Sequence, residues 1–154
     1  PLQSNKTRPV AEHFDWVHSV DRLKIAERLS AQRPAHLPPL NVCLQVNVDG
    51  GANKSGVTPE EALPLAQAVA ALPQLRLRGL MAIPEPAPDF AAQRALFLRA
   101  HAIFESIRDA GIALDTLSLG MSADLEAAIS AGSTMVRVGT AIFGGRARKP
   151  AGPA

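Results

Sequence analysis

With 154 residues, 47% of them hydrophobic, and 16 basic against 14 acidic side chains for a net charge of +2, the chain can bury a core and has no charge block of the kind that binds nucleic acid. Its one cysteine, Cys43, excludes an internal disulfide and sits in the apolar run Val42-Cys-Leu-Gln-Val46, where a buried thiol is expected. There is no run of about 18 apolar residues and no signal-peptide pattern, so the expectation is a soluble, cytoplasmic protein without a membrane partner.

In chain order, Pro1-Leu-Gln-Ser-Asn-Lys6 reads as loop rather than a domain's first element, and the sequence is expected to start inside a larger domain. Apolar, β-branched runs at 14–20, 41–48, 75–83, 115–119 and 134–138 read as strands. Between them lie helical segments. Asp21 is the expected N-cap of a helix over 22–32, stopped by Pro34. Thr58-Pro-Glu-Glu61 combines an N-cap, a proline at the first helical position and a capping-box glutamate, and predicts a helix to about residue 72, with Pro73 beyond it. A longer helix over 90–110 places Leu96, Ala100, Ile103 and Ile107 on one face and ends at Gly111. The last helix, over 123–131, stops at Gly132.

Strict alternation of strand and helix predicts parallel strands joined by right-handed crossovers in an α/β fold. An open five-stranded sheet and part of a (β/α)₈ barrel both fit, and five units behind a loop-like start favour the barrel. The barrel domain is expected over residues 1–146, followed by a disordered Pro/Gly/Ala tail over 147–154.

Chemistry concentrates in two turns. Leu117-Ser-Leu-Gly-Met-Ser122 and Met135-Val-Arg-Val-Gly-Thr140 each run from an apolar strand into a glycine-containing turn with a hydroxyl, so backbone N–H groups from both can converge on one anion. Barrels often bind phosphate after their last two strands. Ser122 as a plain N-cap and Gly139 as a plain turn glycine are the structural readings of the same residues. Asp124, expected in the first helical turn, already places a carboxylate at that dipole, which makes the Gly139-Thr140 turn the main cradle. Arg137 lies two residues before Gly139 and needs a partner, either an acidic side chain or a ligand's phosphate or ring nitrogen. Asn47 and Lys54 lie in the loop after the second strand, and His18 lies at a strand end where it could approach the site. Met81 reads as core. No metal site is visible, because the histidines lack ligand spacing, and neither a serine-histidine-acid set nor a dinucleotide fingerprint is present.

Read together, Leu2-Gln-Ser-Asn-Lys6, Phe14-Asp-Trp-Val-His-Ser-Val-Asp21, Lys54-Ser-Gly56, Arg78-Gly-Leu-Met-Ala-Ile-Pro84, Leu117-Ser-Leu-Gly-Met-Ser-Ala-Asp124 and Val136-Arg-Val-Gly-Thr-Ala-Ile-Phe-Gly144 closely resemble the pyridoxal phosphate homeostasis protein family, over residues 1 to about 146. The resemblance implies a (β/α)₈ TIM barrel of the alanine racemase N-terminal type, present here as its last five β/α units. It implies that pyridoxal 5'-phosphate (PLP) is bound and buffered or delivered, without catalytic turnover, with PLP-dependent apo-enzymes as prospective partners. It implies cofactor contacts from Met121, Ser122, Arg137, Gly139 and Thr140, and no catalytic residue. The family's Schiff-base lysine lies upstream of the first motif here, so neither Lys6 nor Lys54 takes its role, and weak, reversible binding is expected.

A PLP-dependent racemase-like enzyme is the alternative. It needs a second acid/base group, often a tyrosine, and the chain has none. A sugar-phosphate barrel enzyme would share the phosphate turns but would place acid/base groups at several strand ends, where this sequence offers only Asp21 and Asp49, both explained by capping or turn formation.

Overall fold

The computed structural model describes residues 1–50 and 55–147. The five apolar runs form strands β1 (Trp16–Val20), β2 (Leu40–Gln45), β3 (Leu75–Ala82), β4 (Thr116–Met121) and β5 (Met135–Arg137), all parallel and paired in the order β1-β2-β3-β4-β5. The helices are α1 (Thr7–His13), α2 (Leu23–Gln32), α3 (Pro59–Ala70), α4 (Phe90–Asp109), α5 (Leu125–Ser130) and α6 (Thr140–Phe143).

The sheet curls into a half-barrel. His18 of β1 lies 3.0 Å from Ser118 of β4, although β2 and β3 intervene. In a flat sheet those strands would stand about 14 Å apart, three strand spacings. The contact therefore places His18 and Ser118 on a shared concave face. Alternation sends Leu40, Val42, Leu44, Leu117 and Leu119 to the convex face, all at most 1% exposed beneath the helices. There they meet Ile25 and Leu29 of α2, Ala66 and Val69 of α3, and Phe97 and Ile107 of α4.

Several expectations need correction. The opening residues are helical rather than loop: a 3₁₀ turn at Ser4–Lys6 runs into α1, and Ala11 enters the core. Short polar residues disguised this, because the helix buries only one small face. Asp21 does not cap α2; Arg22 is the N-cap residue, without a side-chain hydrogen bond. Asp21 instead lies 3.7 Å from the Arg22 guanidinium. On α4 the buried face is Phe97, Ala100, Phe104 and Ile107, so Leu96 and Ile103 flank it and two phenylalanines take their place. Asp89, unremarked in the sequence, caps that helix by accepting from the Ala92 N–H at 2.8 Å. The Thr58–Glu61 capping box forms in full.

The N-terminal ends of the strands are tied by arginines. Arg78 of β3 makes a two-pronged contact with Asp115 at 2.7–3.2 Å, donates to the Asn41 side chain and lies over the Trp16 ring at 4.6 Å. Arg33, 5% exposed, donates to the carbonyls of Ala11, Phe14 and Pro38, binding α1 and the entries to β1 and β2 into one corner. Gly79 sits in a β3 irregularity where β3 presses on β4, and a Cβ there would lie 1.5 Å from the Thr116 carbonyl oxygen.

Candidate functional site

A cleft of about 480 Å³ opens at the C-terminal ends of β3, β4 and β5. Its walls are the β3–α4 loop (Ile83, Pro84, Pro86, Ala87) and the β4–α5 loop (Met121, Ser122, Ala123, Asp124), with Phe97 and Gln93 of α4 and Arg137 and Thr140 also lining it. Four of the five residues singled out in the sequence, Met121, Ser122, Arg137 and Thr140, thus line one cavity.

Gly139, the fifth, is not a lining residue and is tied to the site through its backbone. The Ser122 hydroxyl accepts from the N–H of Gly139 at 3.3 Å and of Ala141 at 3.1 Å. One hydroxyl oxygen therefore gathers two amides from the start of α6, and the β4 and β5 turns do converge. Gly120 makes the bend into this loop with φ +97°, a left-handed conformation that side chains disfavour, while packing tightly against Ala128.

Asp124 is not in the first turn of α5. It precedes the helix, and its Oδ1 accepts from the Met121 N–H at 2.8 Å, fixing the β4–α5 loop instead of neutralising the helix dipole. Glu126 is the acidic residue of that first turn.

Among the described residues, Arg137 does not meet the acidic side chain that was one of the two partners offered by the sequence. Its guanidinium donates to the Ser118 hydroxyl at 2.6 Å, the Ser118 carbonyl at 3.0 Å and the Ala82 carbonyl at 3.2 Å, and among the described residues it forms no ion pair. Burial pulls its pKa down from the usual guanidinium range, with Asp124 and Cys43 opposing, but an arginine remains charged at neutral pH. A half-buried cation held by neutral oxygens beside a cleft leaves its field available to an anion or a ring nitrogen. His18 reaches Ser118 from the far side, and its pKa lies below the usual histidine range, first because of burial and then because of Arg137. Cys43 is fully buried on the same face, and desolvation pushes its thiol to about 12, which makes it inert. Met81 is core, as its strand position implied.

Lys54 lies outside the described residues, as do residues 148–154 of the expected tail. Asn47 shapes the loop after β2, accepting from the N–H groups of Asp49 and Gly50 at 3.3 and 3.0 Å. Among the described residues no cluster of three or more His, Cys, Asp or Glu side chains stands ready for a metal ion, and no helix is long and apolar enough to cross a membrane.

The family model for the alanine racemase N-terminal domain matches residues 2–147. The chain belongs to the alanine racemase N-terminal domain family. Within it, the chain is 68% identical over 146 residues to a pyridoxal phosphate homeostasis protein of Pseudomonas aeruginosa and 58% identical to its Escherichia coli K12 counterpart, covering 95% of this chain and 62% of each relative. The chain thus spans about three-fifths of the length of these curated relatives. Among solved structures, PipY of Synechococcus elongatus PCC7942 with PLP bound superposes with a TM-score of 0.84 at 36% identity, over 94% of this chain and 68% of that one. The half-barrel is therefore the family's fold in part.

Proposed function

We propose that this chain carries the phosphate and ring-binding part of a PLP-binding protein that serves intracellular PLP homeostasis without catalytic turnover. The observation that carries this reading is that Ser122, Arg137 and Thr140 line one cleft while the Ser122 hydroxyl accepts from the Gly139 and Ala141 amides. The names of the relatives and the PLP held by PipY agree with it.

The residues present fit this ligand. Amides grouped about a hydroxyl suit phosphate oxygens, with Thr140 beside them as a further donor. Arg137 offers a fixed charge for the ring end, and Met121, Ile83 and Pro84 supply apolar walls. The cleft volume lies in the range of about 300–1,000 Å³ usual for small-molecule sites. When bound, PLP supplies a reactive aldehyde and an electron-withdrawing ring. The protein's part here is to hold the phosphate, orient the ring and shelter one face from water. The role is storage and release in the cytoplasm, with PLP-dependent apo-enzymes as recipients.

Trp16, the single tryptophan, lies on the concave face and offers a reporter. Titration with PLP, pyridoxal and inorganic phosphate, followed by its fluorescence and by ligand absorbance, tests the reading. PLP should bind reversibly and pyridoxal at least about tenfold more weakly, the loss expected for phosphate hydrogen bonds. Equal affinities for PLP and pyridoxal, or no PLP binding, would overturn it. Incubation of the PLP-loaded chain with L-alanine should give no D-alanine; steady racemisation would support an enzyme instead.

A further inference from the structure

Three hydrogen-bonded side chains cross the hollow of the half-barrel from β1 to β5, and the phosphate cradle uses none of the first two. His18 Nδ1 lies 3.0 Å from Ser118 Oγ, and Ser118 Oγ lies 2.6 Å from an Arg137 nitrogen. Ser118 is fully buried, so each partner of its hydroxyl is fixed by the fold. We propose that His18 and Ser118 are positioning residues that aim the Arg137 guanidinium into the cleft and thereby set its affinity for the ring of the bound ligand. This rests on the PLP reading above but acts on the ring end of the site, opposite the phosphate end at Ser122.

The proton arrangement follows from the donors. A guanidinium only donates, so Ser118 Oγ must accept from Arg137. Its single proton then has His18 Nδ1 as acceptor, which places the imidazole proton on Nε2 and requires a neutral ring. The result is a directed chain in which neutral His18 orients the Ser118 hydroxyl and the hydroxyl's lone pair holds Arg137. The carbonyls of Ser118 within β4 and Ala82 at the end of β3 hold the same guanidinium, so its plane is fixed from two strands.

Protonation of His18 would break this order. Nδ1 would become a donor, the Ser118 proton would have to turn away, and a second cation would share one hydroxyl with Arg137. Among the described residues, the charged or titratable groups about the hollow are Cys43 of β2, Arg78 of β3, Asp115 at the start of β4 and Arg137 of β5, with Asp124 after β4 acting on Arg137. Of these, Arg137 is the one that acts on His18, in the same direction as burial, and both favour the neutral ring at physiological pH.

The test uses nitrogen-detected NMR of the histidine rings together with PLP and inorganic phosphate titrations of the wild-type chain, His18→Leu, His18→Asn and Ser118→Ala. Without ligand, His18 should hold the Nε2–H tautomer and titrate below the usual histidine range, and Ser118→Ala should shift its Nδ1 resonance. With PLP, His18→Leu and Ser118→Ala should each weaken binding about tenfold, as expected for a lost buried hydrogen bond. Phosphate binding should stay unchanged, and His18→Asn, which keeps a short acceptor, should recover part of the loss. Wild-type PLP affinity should fall on acidification through the His18 transition, and His18→Leu should lack that step. A His18 that titrates like an exposed histidine, or ignores Ser118→Ala, would overturn the relay whether or not PLP binds. Equal losses of phosphate and PLP binding would reduce His18 to a structural residue. Failure of the wild-type chain to bind PLP, with the NMR signature intact, would instead sink the PLP reading and leave the aimed arginine standing.

Discussion

At the N-terminal ends of the strands, charge is met by charge: Arg78 closes on Asp115 and the Trp16 ring, and Arg33, held by three carbonyls, also stands 3.9 Å from the Asp15 carboxylate. At the C-terminal ends the arrangement is reversed. Among the described residues Arg137 has only neutral hydrogen-bond partners, Met121 and Ile83 stand 44% and 42% exposed, and Phe143 of α6 is 85% exposed. One end satisfies its groups and the other holds them available, and parallel β/α architecture explains the division. Helix N-termini and loops gather where the strands end, while the strand beginnings serve only the fold.

Breaking the closed end should therefore cost stability and little else. The largest effect is expected for Gly79→Ala. With a Cβ placed 1.5 Å from the Thr116 carbonyl, β3 and β4 must part, and a loss of about 3 kcal/mol or more is expected, seen as a fall in the urea midpoint or as insoluble chain. A midpoint within error of wild type would show that the irregularity is not as tight as described. Arg33→Met comes next. It strands three carbonyls in a buried corner and should cost about 3 kcal/mol while leaving the affinity of any surviving folded chain for PLP unaltered.

Breaking the open end should do the opposite. Ser122→Ala removes the acceptor that gathers the Gly139 and Ala141 amides, which are exposed and can turn to water, so denaturation should shift by less than about 0.5 kcal/mol. PLP affinity should fall about tenfold, or about 1.4 kcal/mol, through loss of a preorganised phosphate cradle. Unchanged affinity, measured by Trp16 fluorescence, would move the phosphate elsewhere.

This difference also decided what could be read in advance. The five strands, the α/β class and the Thr58 capping box were legible because apolar runs and helix-end chemistry are local. So was the pairing of the Ser122 and Gly139 turns, since each follows a strand. The partner of Arg137 was not legible, because Ser118 and Ala82 reach it only once strands 19 and 55 residues apart curl together. His18 to Ser118, 100 residues apart, was hidden for the same reason. The α4 face was misjudged by one position because the helical stripe admits either Leu96 and Ile103 or Phe97 and Phe104, and packing chose the larger rings.

The smallest predicted effect tests the closed end by charge alone. The Arg78 guanidinium beside Asp115 holds its carboxyl below the usual carboxylate range against the cost of desolvation, with the Thr116 hydroxyl assisting. Because the folded pKa is depressed, the native state binds that proton less readily than the unfolded chain. The pair's contribution is therefore complete above the unfolded carboxylate value and is lost as pH falls through the folded one. Asp115 is 54% exposed, so solvent screening limits the contribution to about 0.5–1 kcal/mol despite the two-pronged geometry. Asp115→Asn should lower stability by that amount at neutral pH, and the gap from wild type should close on acidification and shrink in 1 M salt, where the Debye length is about 3 Å. PLP affinity should not move. A gap that persists in acid would mean that Asp115 works through hydrogen-bond geometry, which Asn cannot reproduce, rather than through its charge.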